Sequence, residues 1–131
     1  MALEVALVSP ERILFTGEAD MVVCRTPDGE IAFLTGHAPF VGALGIGMVR
    51  IIEADGKQTK AAVHGGFVEV RDNKVSILSD VAELPDQIDV ERARRAKEAA
   101  EKRLAEGDDA ECEAQLRRAH VRLELAGQAG G

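Results

Sequence analysis

A strand-rich sandwich or barrel followed by a two-helix hairpin is the fold that this 131-residue sequence predicts. Three observations carry the prediction. Before Pro85, short apolar segments alternate with turn residues at nearly regular intervals; after it, the apolar period becomes helical; and Gly or Pro marks the ends of most segments. The segments between the short strands leave no room for crossover helices, so the first half is expected to pair antiparallel.

The elements follow in chain order. Leu3, Val5 and Leu7 share one face of a strand that ends at Pro10, and a short second piece, Ile13 to Phe15, is expected to stop at Gly17. Met21–Thr26 and Glu30–Leu34 flank Pro27-Asp28-Gly29, where Pro presets φ and Gly accepts a positive value. Met48–Glu53 and Gln58–His64 flank Ala54-Asp55-Gly56-Lys57, a second hairpin, and Phe67–Arg71 and Lys74–Ser79 flank Asp72-Asn73, a third. Beyond Pro85, Asp89 is a good N-cap for a helix over Val90–Glu106, which contains no Gly, Pro or Thr and is closed by Gly107. Its apolar stripe is Ala93, Ala96, Ala100 and Leu104. Asp108 or Asp109 caps a second helix running to about Ala126, with a seam of Cys112, Leu116, Ala119, Leu123 and Ala126; the tail after Gly127 is expected to fray. The loop is short, so the two helices pack antiparallel. This organisation gives two units, residues 1–84 and residues 88–126.

Composition excludes several classes. Four Phe and no Trp or Tyr leave the core to Val, Ile, Leu and Ala, and a net charge of −7 without aromatic stacking surfaces argues against nucleic acid as a partner. No apolar run approaches the roughly 20 residues of a membrane span. The opening Met-Ala-Leu-Glu lacks the basic and apolar regions of a signal peptide, so no leader is expected. Cys24 and Cys112 have no metal-ligand spacing and read as reduced thiols of a cytoplasmic protein. His37, His64 and His120 fall in three different elements and read as structural or solvated. Ser9, Ser76 and Ser79 have no base in view, and Gly42, Gly45 and Gly47 precede no helix that could cradle phosphate, so no catalytic constellation emerges.

Charge is informative within the hairpin. Residues 1–87 carry seven basic and thirteen acidic side chains, whereas the hairpin is almost neutral. Yet Arg92, Arg94 and Arg95 open the first helix at its positive end, where the macrodipole disfavours them, with Glu91–Arg95 and Glu98–Lys102 expected to offset part of the misfit. Arg118 and Arg122 share a face of the second helix, and antiparallel packing brings that face toward Arg92. Three guanidinium forks beside a helix N-terminus suit phosphate or carboxylate, and Glu83 and Asp89 could accept hydrogen bonds from an amine or ribose. The same spacing also describes a plain solvated basic face with Asp89 as a cap.

Several stretches together resemble the epsilon subunit of the F-type ATP synthase. They are Gly29-Glu30-Ile31 with Thr35-Gly36-His37-Ala38-Pro39, Gly65-Gly66-Phe67-Val68-Glu69-Val70, Val75-Ser76-Ile77-Leu78-Ser79 with Ala82-Glu83, and Ile88-Asp89-Val90-Glu91-Arg92-Ala93. The likeness runs in register through residue 126. The resemblance implies a ten-strand antiparallel β-sandwich that binds the gamma subunit and the c-ring. It also implies a C-terminal hairpin that alternates between a compact state and an extended one reaching the catalytic beta subunit. In the family the extended state inhibits ATP hydrolysis. It further implies a non-catalytic central-stalk subunit, peripheral at the cytoplasmic face of the cell membrane, coupling proton-driven rotation to ATP synthesis.

No cofactor is required by the resemblance, but some family members bind ATP at the folded hairpin through an Ile-Asp-x-x-Arg-Ala motif. This chain keeps Ile88, Asp89, Arg92 and Ala93, together with Glu83, Arg118 and Arg122. It has Ala99 where nucleotide-binding members carry Arg, with Arg95 or Arg103 one turn away, so weak ATP binding or none is expected. In the rotor-facing region Glu30, His37 and Phe40, helped by Val41, are the residues expected to contact the c-ring. There Ala32 and Thr35 depart from the family's Gly-Glu-Leu-Gly and Pro-Gly-His, and His64 replaces the small residue usual before the Gly-Gly pair. The alternative function is a free-standing nucleotide-sensing module using the same arginines.

Overall fold

Period-two alternation sorts the side chains of β1 (Leu3–Ser9) so that Leu3, Val5 and Leu7 are buried while Glu4 is exposed. The computed structural model describes residues 2–107 and 109–127. Within them β2 (Arg12–Ala19), β3 (Met21–Thr26), β4 (Gly29–Leu34), β5 (Phe40–Ala43), β6 (Ile46–Ile52), β7 (Gln58–His64), β8 (Phe67–Arg71), β9 (Lys74–Leu78) and β10 (Ala82–Glu83) complete two five-stranded sheets. One runs β2-β1-β9-β8-β5 and the other β10-β7-β6-β3-β4. Their inner faces interdigitate through Leu3, Leu7, Val68, Val70, Val75 and Ile77 on one side, and Val22, Cys24, Phe33, Val49, Ile51 and Val63 on the other. Phe33 is the one aromatic among the fully buried large side chains, so the core is aliphatic, as the composition requires.

Three features depart from the sequence reading. The strand expected over Ile13–Phe15 continues through Gly17 to Ala19, because Gly17 stays in register opposite Val5 and the ladder hydrogen bonds need no side chain. β5 and β10 were not anticipated as strands. The pairing of β1 with β9 is parallel, Glu4 opposite Lys74 and Val8 opposite Leu78, within an otherwise antiparallel sandwich. The crossover a parallel pair needs is supplied here by the rest of the sandwich instead of by a helix.

Turn chemistry sets the registers. Asp72 and Asn73 both have positive φ (51° and 61°), the pattern of a two-residue hairpin turn matched to strand twist. The Asn73 carboxamide oxygen also accepts the Gly36 N–H at 2.7 Å, tying the loop after β4 to that turn. A short 3-10 turn over Pro85–Gln87 leads out of the sandwich, and Leu84 N–H donates to the Gln87 side chain at 2.9 Å.

Helices α1 (Val90–Glu106) and α2 (Ala110–Leu125) form the hairpin. Asp89 caps α1 by accepting the Arg92 N–H at 3.0 Å, and Gly107 closes it. Asp109 caps α2 through the N–H groups of Glu111 and Cys112; Asp108, the other expected cap, and the tail after Gly127 lie outside the described residues. α2 packs across β6 and β7, and α1 packs on α2. Val23 and Ala62 are buried yet lie outside the inter-sheet core, on the face the hairpin covers. Cys112, Ala119 and Leu123 of α2 are buried as expected, with Leu116 and Ala126 only partly so. On α1 only Ala93 and Ala100 are fully enclosed; Ala96, expected in the seam, is exposed. Burying a methyl or methylene contributes about 0.8 kcal/mol, so two alanines hold α1 far less firmly than a leucine seam would.

Candidate functional site

Between the sandwich edge and the hairpin lies a cleft of about 420 Å³ lined by Glu83, Gln87, Asp89, Arg92, Ala93, Ala96, Ala99, Gln115, Arg118 and Arg122. Its volume is within the range of small-molecule sites. Each wall follows from local structure. β10 pairs with β7, Glu83 opposite Ala62, which fixes the carboxylate at the sheet edge. The cap at Asp89 starts α1 so that Arg92, Ala96 and Ala99 fall on one side of it, and α2 presents Gln115, Arg118 and Arg122 at spacings of three and four.

The cleft therefore gathers five of the six residues expected to bind nucleotide. Ile88, the sixth, is buried just behind and is absent from the lining. Neither Arg95 nor Arg103 lines the cleft: Arg95 is exposed, and Arg103 reaches Asp109 at the hairpin turn, 3.7 Å away. Position 99 thus opens onto the cleft as alanine, with no other guanidinium in its place. Glu91 is engaged by Arg94, one position before the expected partner Arg95. Gln87 and Gln115 were missed by sequence reasoning, although Gln115 stands on the face already marked by Arg118 and Arg122.

Two of the three cleft arginines are already partnered within the chain. Arg122 Nε donates to Glu83 Oε1 at 2.6 Å, bridging hairpin and sandwich, and Arg118 donates to Glu111 at 3.0 Å. His64 Nε2 lies 3.4 Å from the same Glu83 oxygen. That imidazole is 4% exposed, and neither ring nitrogen has a hydrogen-bond partner among the described residues. Of the two readings the sequence left open for His64, structural or solvated, the burial selects the structural one.

The His64 ring beside it, with the Arg122 guanidinium adding to the effect against the opposing pull of burial, holds the Glu83 carboxyl down at about 2. A carboxyl lowered in the folded state stabilises above its ordinary range and loses that stabilisation as pH falls. The Glu83 contribution is therefore complete above its ordinary value of 4.5 and disappears on approach to about 2. Asp109, held low by the N–H groups of Cys112 and Glu111, acts in the same direction. Thermal melting followed across this acid window should show a steep loss of stability, shallower in Glu83→Gln; identical slopes would contradict the assignment.

The residues expected at the c-ring form a separate group. His37 and Phe40 both pack on Phe33, with ring centroids 4.9 Å and 5.5 Å from it. Glu30 is exposed and shares a groove with Phe40, but it also borders Arg25 and the Arg117 and Glu124 side chains of α2. Phe40 is thus the residue linking the three. Val41 and Leu34 nearby in the chain are 71% and 53% exposed.

Comparison with known proteins places this architecture. Residues 2–85 match the family model described as ATP synthase, Delta/Epsilon chain, beta-sandwich domain, and residues 86–127 match the long alpha-helix domain of the same chain. The ATP synthase epsilon chain of Shouchella clausii is 44% identical over 130 residues, covering 98% of this chain and 97% of its own. That of Streptomyces coelicolor is 50% identical over 124 residues, covering 95% and 94%. Among solved structures, a chain of the Euglena gracilis mitochondrial ATP synthase superposes with a TM-score of 0.73 at 25% identity, covering 97% of this chain and 78% of that one. A central-stalk and c-ring assembly from Tetrahymena thermophila contains a chain with the same fold, at a TM-score of 0.64 and 18% identity over 98% of both. With both family models matched in order over nearly the whole length, the chain belongs to the ATP synthase delta/epsilon chain family, among the epsilon chains.

Proposed function

We infer that the protein is a non-catalytic central-stalk subunit whose sandwich, residues 1–84, joins the rotor and whose hairpin, residues 88–126, restrains ATP hydrolysis. The observation that carries this reading is how the hairpin is held. α1 fully encloses only two alanines, and a charged link from hairpin to sandwich joins Arg122 to Glu83. An element with a small apolar grip and a polar latch can leave its seat at modest cost, as a switching element must. The sandwich core contains no helix residue, so it keeps its packing when the hairpin leaves.

The gamma subunit and c-ring are the partners we assign to the sandwich, with Glu30, His37 and Phe40 and the exposed Val41 and Leu34 at the c-ring. In the extended state the arginine-rich start of α1 meets an acidic surface of the beta subunit, a contact that weakens with salt. No described helix is long and apolar enough to cross a membrane, and attachment to the cytoplasmic face runs through these partners. Deleting residues 88–131 should leave assembly and ATP synthesis intact while raising ATP hydrolysis by the assembled complex at least about fivefold, the lower end of ordinary coupling between sites. Unchanged hydrolysis would rule out an inhibitory hairpin.

The cleft supports a second activity of the same subunit, ATP binding that favours the compact hairpin. Arg92 makes no ion pair among the described residues, and it shares the cleft with Arg118 and Arg122. ATP competes there with Glu83 and Glu111 for Arg122 and Arg118, and it lacks a guanidinium at position 99, so its affinity is low. A free-standing sensor is not favoured, because the likeness to epsilon chains spans sandwich and hairpin together. It would also fail to co-purify with gamma.

A further inference from the structure

We propose that His64 makes docking of the hairpin proton-sensitive: uptake of a proton by its imidazole weakens the Arg122–Glu83 latch and releases α2 from the sandwich. The proposal rests on the inferred mobility of the hairpin and adds the group that controls it.

The geometry is specific. His64 ends β7 on the face that α2 covers, which it shares with the buried Ala62, while Ala61 and Val63 alternate with them and point into the inner core. Its Nε2 and Arg122 Nε approach one and the same oxygen, Glu83 Oε1, at 3.4 Å and 2.6 Å. With neutral imidazole, that oxygen serves one cation. A proton taken from solvent onto the unprotonated ring nitrogen gives it two, and the second cation is enclosed against the first. With the hairpin lifted away, the imidazolium keeps Glu83, regains water and loses the repulsion of Arg122. An imidazolium therefore opposes docking through the cation it faces, and acid favours undocking.

The neighbouring charges strengthen this sign. From β10 the group facing His64 is Glu83. α2 brings Arg122, with Arg118 one turn away in the same cleft and paired to Glu111. The start of α1 adds Arg92 and Asp89, the latter already engaged as a cap. On β6 the residue opposite is the uncharged Ile46, and Lys60 farther along β7 is opposite Arg50. Glu83 is thus the carboxylate nearest the ring, and it is ionised throughout the range in which histidine changes charge.

Docking can be read in the full-length chain by energy transfer between labels at Asp55→Cys and Glu106→Cys, the buried Cys24 and Cys112 being left in place. The docking constant should fall about tenfold between about pH 8 and about pH 5.5, the span over which histidine titrates and a magnitude ordinary for coupled sites. His64→Gln, and His64→Ser as a second uncharged variant, should dock with no dependence on pH over that span. His120→Gln, altering the exposed histidine of α2, should keep the wild-type dependence. Docking that is flat in the wild type, that tightens in acid, or that stays pH-dependent without His64 would overturn the proposal. Arg122→Ala separates the two ideas: undocking in this variant combined with a flat wild-type profile sinks the proton latch alone. A hairpin that stays seated in every chain at every pH sinks the mobile hairpin with it.

Discussion

Gly66→Ala should destabilise the sandwich by at least about 3 kcal/mol, measured as a shift in chemical denaturation midpoint, by combining backbone strain with overpacking. Gly66 sits at φ +118°, a conformation L side chains rarely adopt. A Cβ there would lie 2.1 Å from the Leu78 carbonyl oxygen and 2.8 Å from Ser79 Cα. Both are backbone of β9 and its exit, so no side chain can swing aside. The corner is also held by its own hydrogen bonds. Leu44 N–H donates to the Gly66 carbonyl at 2.8 Å, and the Ser79 hydroxyl lies 2.7 Å from the Gly65 carbonyl and 2.9 Å from that of Val81. Displacing β9 to admit a methyl group would strain these links around a Ser79 that is 3% exposed. Gly56→Ala is the control. It too has positive φ, but nothing lies within 4 Å of the added Cβ, so the cost should be about 1 kcal/mol. Equal effects at the two glycines would show that crowding at Gly66 is relieved elsewhere.

Ala99→Arg should raise affinity for ATP about ten- to a hundredfold, corresponding to about 1.5–3 kcal/mol for one added charge-assisted hydrogen bond. The position lies two helical turns from Arg92 on the same side of α1, and it is exposed within the cleft lining. A long side chain there can extend without displacing core. Titration calorimetry on the full chain reads the effect directly, and the gain should shrink with added salt. Ala99→Gln, with a long uncharged side chain, should recover little of it. An unchanged dissociation constant in the arginine variant would mean that phosphate does not lie against this stretch of α1.

Much of this arrangement was legible in the residues, for identifiable reasons. Met21–Thr26, Gln58–His64 and Phe67–Arg71 were read with the bounds they have, because alternation and flanking turn residues agree there. Val90–Glu106 was equally plain between Asp89 and Gly107. β5 and β10 escaped because four and two residues are too few to show a period, and each is a strand only through its partner, β8 or β7. The parallel β1–β9 pair could not be foreseen from local signals, since both strands look alike in either direction. At the candidate site, spacing pointed to Arg118 and Arg122 on one face of α2, antiparallel packing brought that face to Arg92 and Asp89 at the start of α1, and Glu83 joins them from β10 at the sheet edge. The choice between a structural and a solvated His64 stayed open because its solvent exclusion comes from a helix far along the chain, which alternation within β7 cannot reveal.

The parallel β1–β9 ladder also sets the order in which the molecule can assemble. β1 must wait for a partner about seventy residues downstream, and pairings that distant slow folding because the intervening chain must be gathered first. During synthesis, β2 can cover one edge of β1 at once, but the other edge stays open until Lys74–Leu78 has left the ribosome. Leu3, Val5 and Leu7 are therefore among the first core residues made and the last to be enclosed, on an edge that invites pairing with foreign strands. The seat of α2, on β6 and β7, belongs to the other sheet, whose strands are made before β9 closes this edge, β10 excepted.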